Sequence, residues 1–361
     1  MTTYRERPEL SQSYLKLLIH DPTSFFEERE RSSRIKKHFQ VGTACDLALA
    51  NGIESFQDRL VLIDERPDGV LTRLAEYLID NNLPATDENI LFAREEVGYD
   101  KRLKDETVLA KFDSTMRWYH GVLSDLEPNQ ILLTEEDYDV VRAIYGSLTT
   151  NKYTRHLFEP DDNIIVLNHV EVYYDYLGVP CKAELDRIDI NLRNNTIKPY
   201  DFKTLGYPTR MFPRSCKERR YDIQGASYLY SLSQAVKGLA ETSLSVDLQG
   251  LTVLPFEFVV ETTLPKKIGK SPMIYRMSPN MFRSGMFGTY LDKRYTPSIY
   301  SSDVIDGLPA SIAYTTPLIP GFDALIREYK YQISLAPEDR GYTRYEDMEL
   351  SETGALSLEV W

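Results

Sequence analysis

Residues 179–204 read as a strand, a polar turn and a returning strand, and this hairpin limits what the rest of the chain can build. In Val179-Pro180-Cys181-Lys182-Ala183-Glu184-Leu185-Asp186-Arg187-Ile188-Asp189-Ile190, apolar residues alternate with polar ones, the period of a half-buried strand. Asn191 to Asn195 is polar, and Asn194-Asn195 tolerates the tight backbone angles of a turn. Thr196 to Thr204 then returns as a second strand. Antiparallel pairing brings Asp186 and Asp201 to one end of a sheet. Phe202 points to the opposite face, so Asp201 and Lys203 share a face.

Two carboxylates and an ammonium gathered in this way call for a cation. Mg²⁺ is a hard ion, and Asp186, Asp201 and the carbonyl of Phe202 supply the oxygen ligands that suit it. A metal held there lowers the pKa of a bound water and stabilises charge on a phosphoryl group in flight. Lys203 would stand beside that water. An Asp-x-Lys triplet is common by chance, so on the triplet alone an exposed hairpin with a surface ion pair is the competing reading.

The flanking residues reverse that weighting. Ala183-Glu184-Leu185-Asp186-Arg187-Ile188-Asp189, Asp201-Phe202-Lys203-Thr204 and Gln224-Gly225-Ala226-Ser227-Tyr228 come one after another in the chain. Together they resemble the three core motifs of the RecB-like branch of the PD-(D/E)XK nucleases, and most closely the RecE-like phage and prophage exonucleases. Gln224 and Tyr228 are four apart, hence on one face of a helix. Shorter stretches add to the resemblance: Leu10 to Leu15 with Asp21-Pro22 and Phe25-Phe26, Gly42 to Asp46, Leu133 to Asp137, and Phe256 to Glu261.

The resemblance implies an α/β (α+β) fold, a central mixed sheet flanked by helices, with a helical subdomain. It implies a Mg²⁺-dependent deoxyribonuclease, with Mn²⁺ as a substitute ion, that resects duplex DNA ends 5′→3′ for single-strand-annealing recombination. Asp186, Asp201 and Glu171 would hold metal, Lys203 would position the water, and Gln224 and Tyr228 would orient the site. For Glu171 the competing reading is a glutamate at a strand edge. A single-strand-annealing protein and a homo-oligomeric ring around DNA are the partners it implies. Where the family has His after Gly-Thr-Ala-x, this chain has Asp46. A carboxylate there would hold or support the metal and favour Mg²⁺, whereas imidazole suits softer ions such as Mn²⁺; the competing reading is an Asp46 that faces solvent beside a site with fewer ligands. Two other readings stay open: a RecB-like endonuclease or single-strand nuclease, and a non-catalytic DNA-binding or assembly protein on a nuclease scaffold.

The net charge of −13 counts against a DNA partner, but distribution matters more than the total. From Leu205 to Arg220, Arg210, Arg214, Lys217, Arg219 and Arg220 face only Glu218. From Pro265 to Tyr295, seven basic residues including Lys266, Lys267, Lys270, Arg276 and Arg283 face only Asp292. The first run is the expected DNA-binding surface; a solvated face is the alternative for either. Cys45, Cys181 and Cys216 are too far apart for a disulfide framework or a metal pair, and a reducing cytoplasm is the simplest setting. No apolar run is long enough for a bilayer, so no membrane is expected.

The organisation expected is a helical N-terminal part over 1–64, a helical subdomain over 65–162, the nuclease core with covering elements over 163–340, and an acidic tail over 341–361. Ser11 or Ser13 caps an early helix, Leu71 to Ile79 and Thr107 to Leu123 are helical, and Thr134 with Asp137 opens another with a capping-box pattern. The aromatic residues of these helices are expected in the core.

Overall fold

The computed structural model describes residues 4–19, 22–23, 25–26, 40–67, 69–99, 102–127, 130–264, 272–289, 304–305, 308–309 and 319–344. They form two compact units, Met1–Ser32 with Ser147–Trp361, and Ser33–Gly146. The sequence reading divides the chain after residues 64 and 162 instead. The first unit recruits the N-terminal segment because β1 (Leu10–Ser11) adds beside Cys181 and Lys182 as a parallel strand. Helix α1 (Gln12–Leu15) comes next, capped by the Ser11 hydroxyl, which accepts from the Tyr14 amide. The acidic tail and the charged stretch Glu27 to Lys37 lie outside the described residues.

The second unit contains α2 (Gln40–Asn51), α3 (Ile53–Phe56), β2 (Leu60–Ile63), α4 (Val70–Asp80), α5 (Asp87–Val97), α6 (Asp105–Lys111), α7 (Ser114–Ser124) and β3 (Ile131–Thr134). It is where α8 (Glu135–Thr150) begins. Its core gathers Leu74, Leu78, Ile90, Phe112, Tyr119 and Leu132. The single helix expected over 107–123 is two, because Asp113 leaves the helix to cap α7, accepting from Thr115 N at 2.9 Å and Met116 N at 3.2 Å. Tyr119 is buried, but its neighbour Trp118 is about half exposed, because the buried stripe of this helix runs through Met116, Tyr119 and His120 and leaves Trp118 outside it. Thr134 caps α8 through the Asp137 amide at 3.1 Å, as its pattern predicts. The parallel β2–β3 pair is an element the helical reading of this region lacks.

In the first unit β4 (Ile164–Tyr176), β5 (Val179–Asn191) and β6 (Thr196–Leu205) form an antiparallel meander. The turn between β5 and β6 places Asn195 at φ 51°, and the Asn194 amide bonds the Asn191 side chain. Helices α9 (Phe212–Glu218) and α10 (Tyr221–Ala235) come after it, then β7 (Glu241–Thr242), β8 (Thr252–Val253), β9 (Glu257–Thr262), β10 (Met273–Arg276), α11 (Pro279–Phe287), the paired β11 (Val304–Ile305) and β12 (Leu308–Pro309), and α12 (Phe322–Ser334). Eight strands make one mixed sheet in the order β10-β9-β6-β5-β4-β7, with β1 beside β5 and β8 beside β6. Helix α10 buries Ile223, Ala226, Tyr228 and Leu232 in the sheet's core. Helix α11 crosses it so closely at Gly285 that a Cβ there would stand 2.0 Å from the Asp222 carbonyl oxygen. The fold is thus the mixed α/β arrangement of a central sheet with flanking helices that the sequence predicts. No described helix is long and apolar enough to cross a membrane.

Two irregularities set up the site. The β5–β6 ladder runs from Asn191 opposite Thr196 to Arg187 opposite Tyr200 and stops; from there β6 continues only beside β9, while β5 runs beside β4 and β1. The alternation also slips by one residue in β4 and β5. Cys181, Ala183 and Leu185 face the core, and so do Ile188 and Ile190; on β4, Leu167 and Val170 do likewise. At the slip His169 takes φ 50°, and the ladder pair it would make with Asp186 is missing.

Candidate active site

Asp186 and Asp201 meet where β5 and β6 part. Asp201 lies in the strand between β5 and β9, under α10, and is 0 % exposed. Asp186, half-buried at the slip, accepts the Phe202 amide on Oδ2 at 3.0 Å. Because of the slip it shares the phase of Ile188 and Ile190 and so faces the helix side, as Asp201 does.

Lys203 lies two residues on from Asp201 and on the same face. Its ammonium pairs with Asp201 Oδ2, and its side chain is 17 % exposed. It also stands 5.2 Å from the centre of the Tyr221 ring. From α10, Gln224 Nε2 donates to Asp201 Oδ1 at 2.7 Å and lies 3.3 Å from the Tyr228 hydroxyl. The i, i+4 spacing thus places both side chains on the face of α10 that covers the carboxylates.

The electrostatics arise from this packing. Burial, and then the neighbouring Asp186 carboxylate, push the pKa of Asp201 up from 3.8 to about 7, against the pull of Lys203. Burial also opposes the charge on Lys203, but Asp201 and Asp186 outweigh it and hold the pKa of this ammonium above its usual value. The Tyr228 hydroxyl is raised well above the ordinary tyrosine value, by burial first and then by the two carboxylates, and stays protonated. Asp201 Oδ2 is buried against the Lys203 ammonium, its ion-pair partner. Two neighbouring carboxylates, one of them wholly buried, suit a hard cation. Among the described residues no group of three His, Cys, Asp or Glu side chains is placed to hold a metal. Of the residues the sequence expects at a metal, Asp186 and Asp201 are the two brought together, and their oxygens are donors that a hard cation takes.

Glu171 is not brought to this pair. It stands opposite Glu184 on the β4–β5 ladder, in the phase opposite to the core residues Val170 and Val172, and its carboxylate takes the Tyr173 hydroxyl. That face is covered by residues 4–9: the Arg7 guanidinium sits 3.6 Å over the Tyr173 ring, and Lys182 donates to the Tyr4 and Arg7 carbonyls. The sequence reading carries one alternation through β4 and β5, and the slip takes Glu171 and Asp186 to opposite sides. Asp46 is half-buried on α2 of the second unit.

The expected DNA-binding run divides. Arg214, Lys217 and Arg219 are exposed on and just after α9, with Arg214 paired to Glu218 at 2.6 Å. Arg220 is consumed by the fold: its guanidinium bonds both Asp222 oxygens at 3.0 Å and the Pro320 carbonyl at 2.7 Å. Arg210 lines a separate cavity. Sequence reasoning missed Lys16, whose ammonium reaches the Arg219 carbonyl at 3.4 Å. Burial, with Lys203 next, pushes its pKa down to about 8. Nothing in the local sequence marks this lysine, because its neighbours come from a segment some two hundred residues away.

No protein-family model matches the chain, and no curated protein matches it. A solved structure from Eubacterium rectale, named only provisionally as an exonuclease, is similar over 70 % of this chain and 81 % of its own, at 12 % identity and a TM-score of 0.30. A likeness that loose carries no functional argument, and the chemistry must be read from the site's own geometry.

Proposed function

We propose that the protein is a metal-dependent DNA exonuclease of the RecE-like, PD-(D/E)XK type. The observation that carries this reading is the convergence of Asp186, Asp201 and Lys203 at the fork between β5 and β6, with Gln224 and Tyr228 on the covering helix. The reaction is hydrolysis: a water oxygen bonds to phosphorus, one P–O bond breaks, and the departing oxygen leaves as a hydroxyl. A bound Mg²⁺ would activate water and neutralise charge on the phosphate. Asp186 and Asp201 would hold it. Lys203, kept charged by its carboxylate neighbours, donates to the water or to a non-bridging phosphate oxygen and cannot itself serve as the base. Gln224 fixes the Asp201 carboxylate, and Tyr228 adds a protonated donor beside it. The exposed Arg214, Lys217 and Arg219 would contact the DNA backbone, and Asp46 would serve metal binding. Resection from duplex ends 5′→3′, a ring-shaped oligomer and an annealing-protein partner belong to the same proposal.

The test is digestion of end-labelled linear duplex beside a closed circle, with Mg²⁺, for the wild type and Lys203→Ala. Loss of the linear DNA alone, reduced about a thousandfold or more in the variant, is the expected outcome. A cut circle would make the enzyme an endonuclease, and digestion only of unpaired DNA a single-strand nuclease. No cleavage by the wild type would leave a DNA-binding scaffold, and near-normal cleavage by Lys203→Ala would sink the assigned site.

A further inference from the structure

The opposite face of β6 opens on a second feature. Successive side chains of a strand point to opposite faces, so Lys198 and Tyr200 point away from Asp201 and Lys203. They line a cavity of about 850 Å³ with Glu257 on β9, Arg276 on β10 and Arg210 beyond the end of β6. Its volume lies in the range of small-molecule sites. The cavity is built around Glu257, which is 5 % exposed and takes Lys198 Nζ at 2.7 Å and Arg276 Nε at 2.8 Å. One carboxylate cannot neutralise two cations. Arg210 adds a third, and it has no carboxylate partner among the described residues. In a chain of net charge −13 this lining therefore carries a local positive excess.

The other wall supplies an aromatic surface. Tyr153 lines the cavity while 64 % exposed, and its ring has the Lys152 ammonium 4.6 Å from its centre. His156 stands in the same wall and is exposed. A large exposed ring beside an excess of guanidinium and ammonium groups matches a ligand with a planar aromatic part and an anionic part. Arginine forks favour phosphate oxygens, and a base stacks on a tyrosine face.

We infer that this far-face cavity binds a nucleotide, its phosphate held by Arg276, Arg210 and Lys198 and its base stacked on Tyr153. The nucleotide is either a free mononucleotide or one residue of a single strand. The site does not depend on the cleavage reading, because it rests on the cavity's own charge and shape.

The test uses the full chain in chelator, where binding is read without cleavage. Calorimetric titrations with thymidine 5′-monophosphate, with a twelve-residue oligothymidylate and with inorganic phosphate are run on the wild type, Tyr153→Ala, Arg276→Gln and Asp201→Asn. Tyr153 and Arg276 are largely exposed, and Arg276→Gln leaves Glu257 its Lys198 partner, so folded variants are expected and circular dichroism checks them. Both far-face variants should weaken nucleotide binding about tenfold, while Asp201→Asn changes it less than twofold. Saturable binding of the mononucleotide, no tighter for the oligomer, identifies a free-nucleotide site; binding of the oligomer alone identifies a strand site. Inorganic phosphate binding as tightly as the nucleotide would remove the base from the assignment and overturn it. Unchanged affinity in Tyr153→Ala and Arg276→Gln, or a change in Asp201→Asn alone, would place binding outside this cavity and overturn it equally. Cleavage measured separately on the same preparations keeps failure of the nuclease reading distinct from failure of this one.

Discussion

Asp201→Asn should stabilise the metal-free protein above neutral pH while abolishing its cleavage. Asp201 is wholly buried, and burial with the Asp186 charge raises its pKa from 3.8 to about 7. Between those values the native state keeps a proton that the unfolded chain has released. Stability therefore falls as pH rises through this window, by about 1.4 kcal/mol per pH unit, and is constant above it. The whole span of roughly three units amounts to a cost on the order of 4 kcal/mol for holding Asp201 ionised in the fold. Asparagine resembles the protonated acid and escapes that cost, and Gln224 can turn its amide to pair with either end of the new side chain. The variant and the wild type should thus be close at pH 4, with the gap opening towards pH 8. Because the chain has two units, a single global unfolding curve would mix them. Native-state hydrogen exchange of the α10 amides in chelator reads the relevant unit directly. A variant less stable than wild type at pH 8, or a gap flat across pH, would refute the reasoning.

The same geometry sets other outcomes. Neutralising Arg214, Lys217 and Arg219 together should flatten the dependence of log DNA affinity on log salt by up to about 3; an unchanged slope in filter-binding titrations would move the groove elsewhere. Gly285→Ala should lower the melting temperature by several degrees, because its Cβ would meet the Asp222 carbonyl at 2.0 Å and overpacking of this kind costs about 1–3 kcal/mol; a calorimetric scan decides. Asp46→Ala should raise the Mg²⁺ concentration for half-maximal cleavage and Asp46→His should shift preference towards Mn²⁺, whereas unchanged metal dependence in both makes Asp46 a bystander.

The parts of the fold that depend on near neighbours in sequence were legible. The β5–turn–β6 hairpin, the Ser11 and Thr134 caps and the i, i+4 pair on α10 rest on short-range rules, and each appears where those rules put it. What depends on partners far along the chain was not. The five basic residues after β6 read as one patch, yet Arg220 is taken by Asp222 and by a carbonyl a hundred residues away, and Arg210 turns to a different cavity. The N-terminal strand β1 joins the core through Cys181 and Lys182, a pairing that two residues of sequence cannot announce.

The slip in β4 and β5 is the instructive intermediate case. It is written in the sequence, since Leu185 and Ile188 are both apolar with two charged residues between them, but strict alternation reads straight through it. A one-residue shift moves every later side chain to the other face. Here it turns Asp186 towards Asp201 and leaves Glu171 on the side covered by residues 4–9. The same rule of alternation, running without a slip through β6, separates Lys198 and Tyr200 from Asp201 and Lys203. One strand thus presents a carboxylate–ammonium pair to one face and a cation-rich cavity to the other. Asp201 can be wholly buried at the junction because β5 and β9 flank its strand and α10 covers it. That burial raises its pKa and leaves the Lys203 ammonium as the partner of its Oδ2. The fold therefore carries an unfavourable charge at the place where the proposed chemistry needs one, and the hydrogen-exchange experiment on Asp201→Asn measures the size of that conflict.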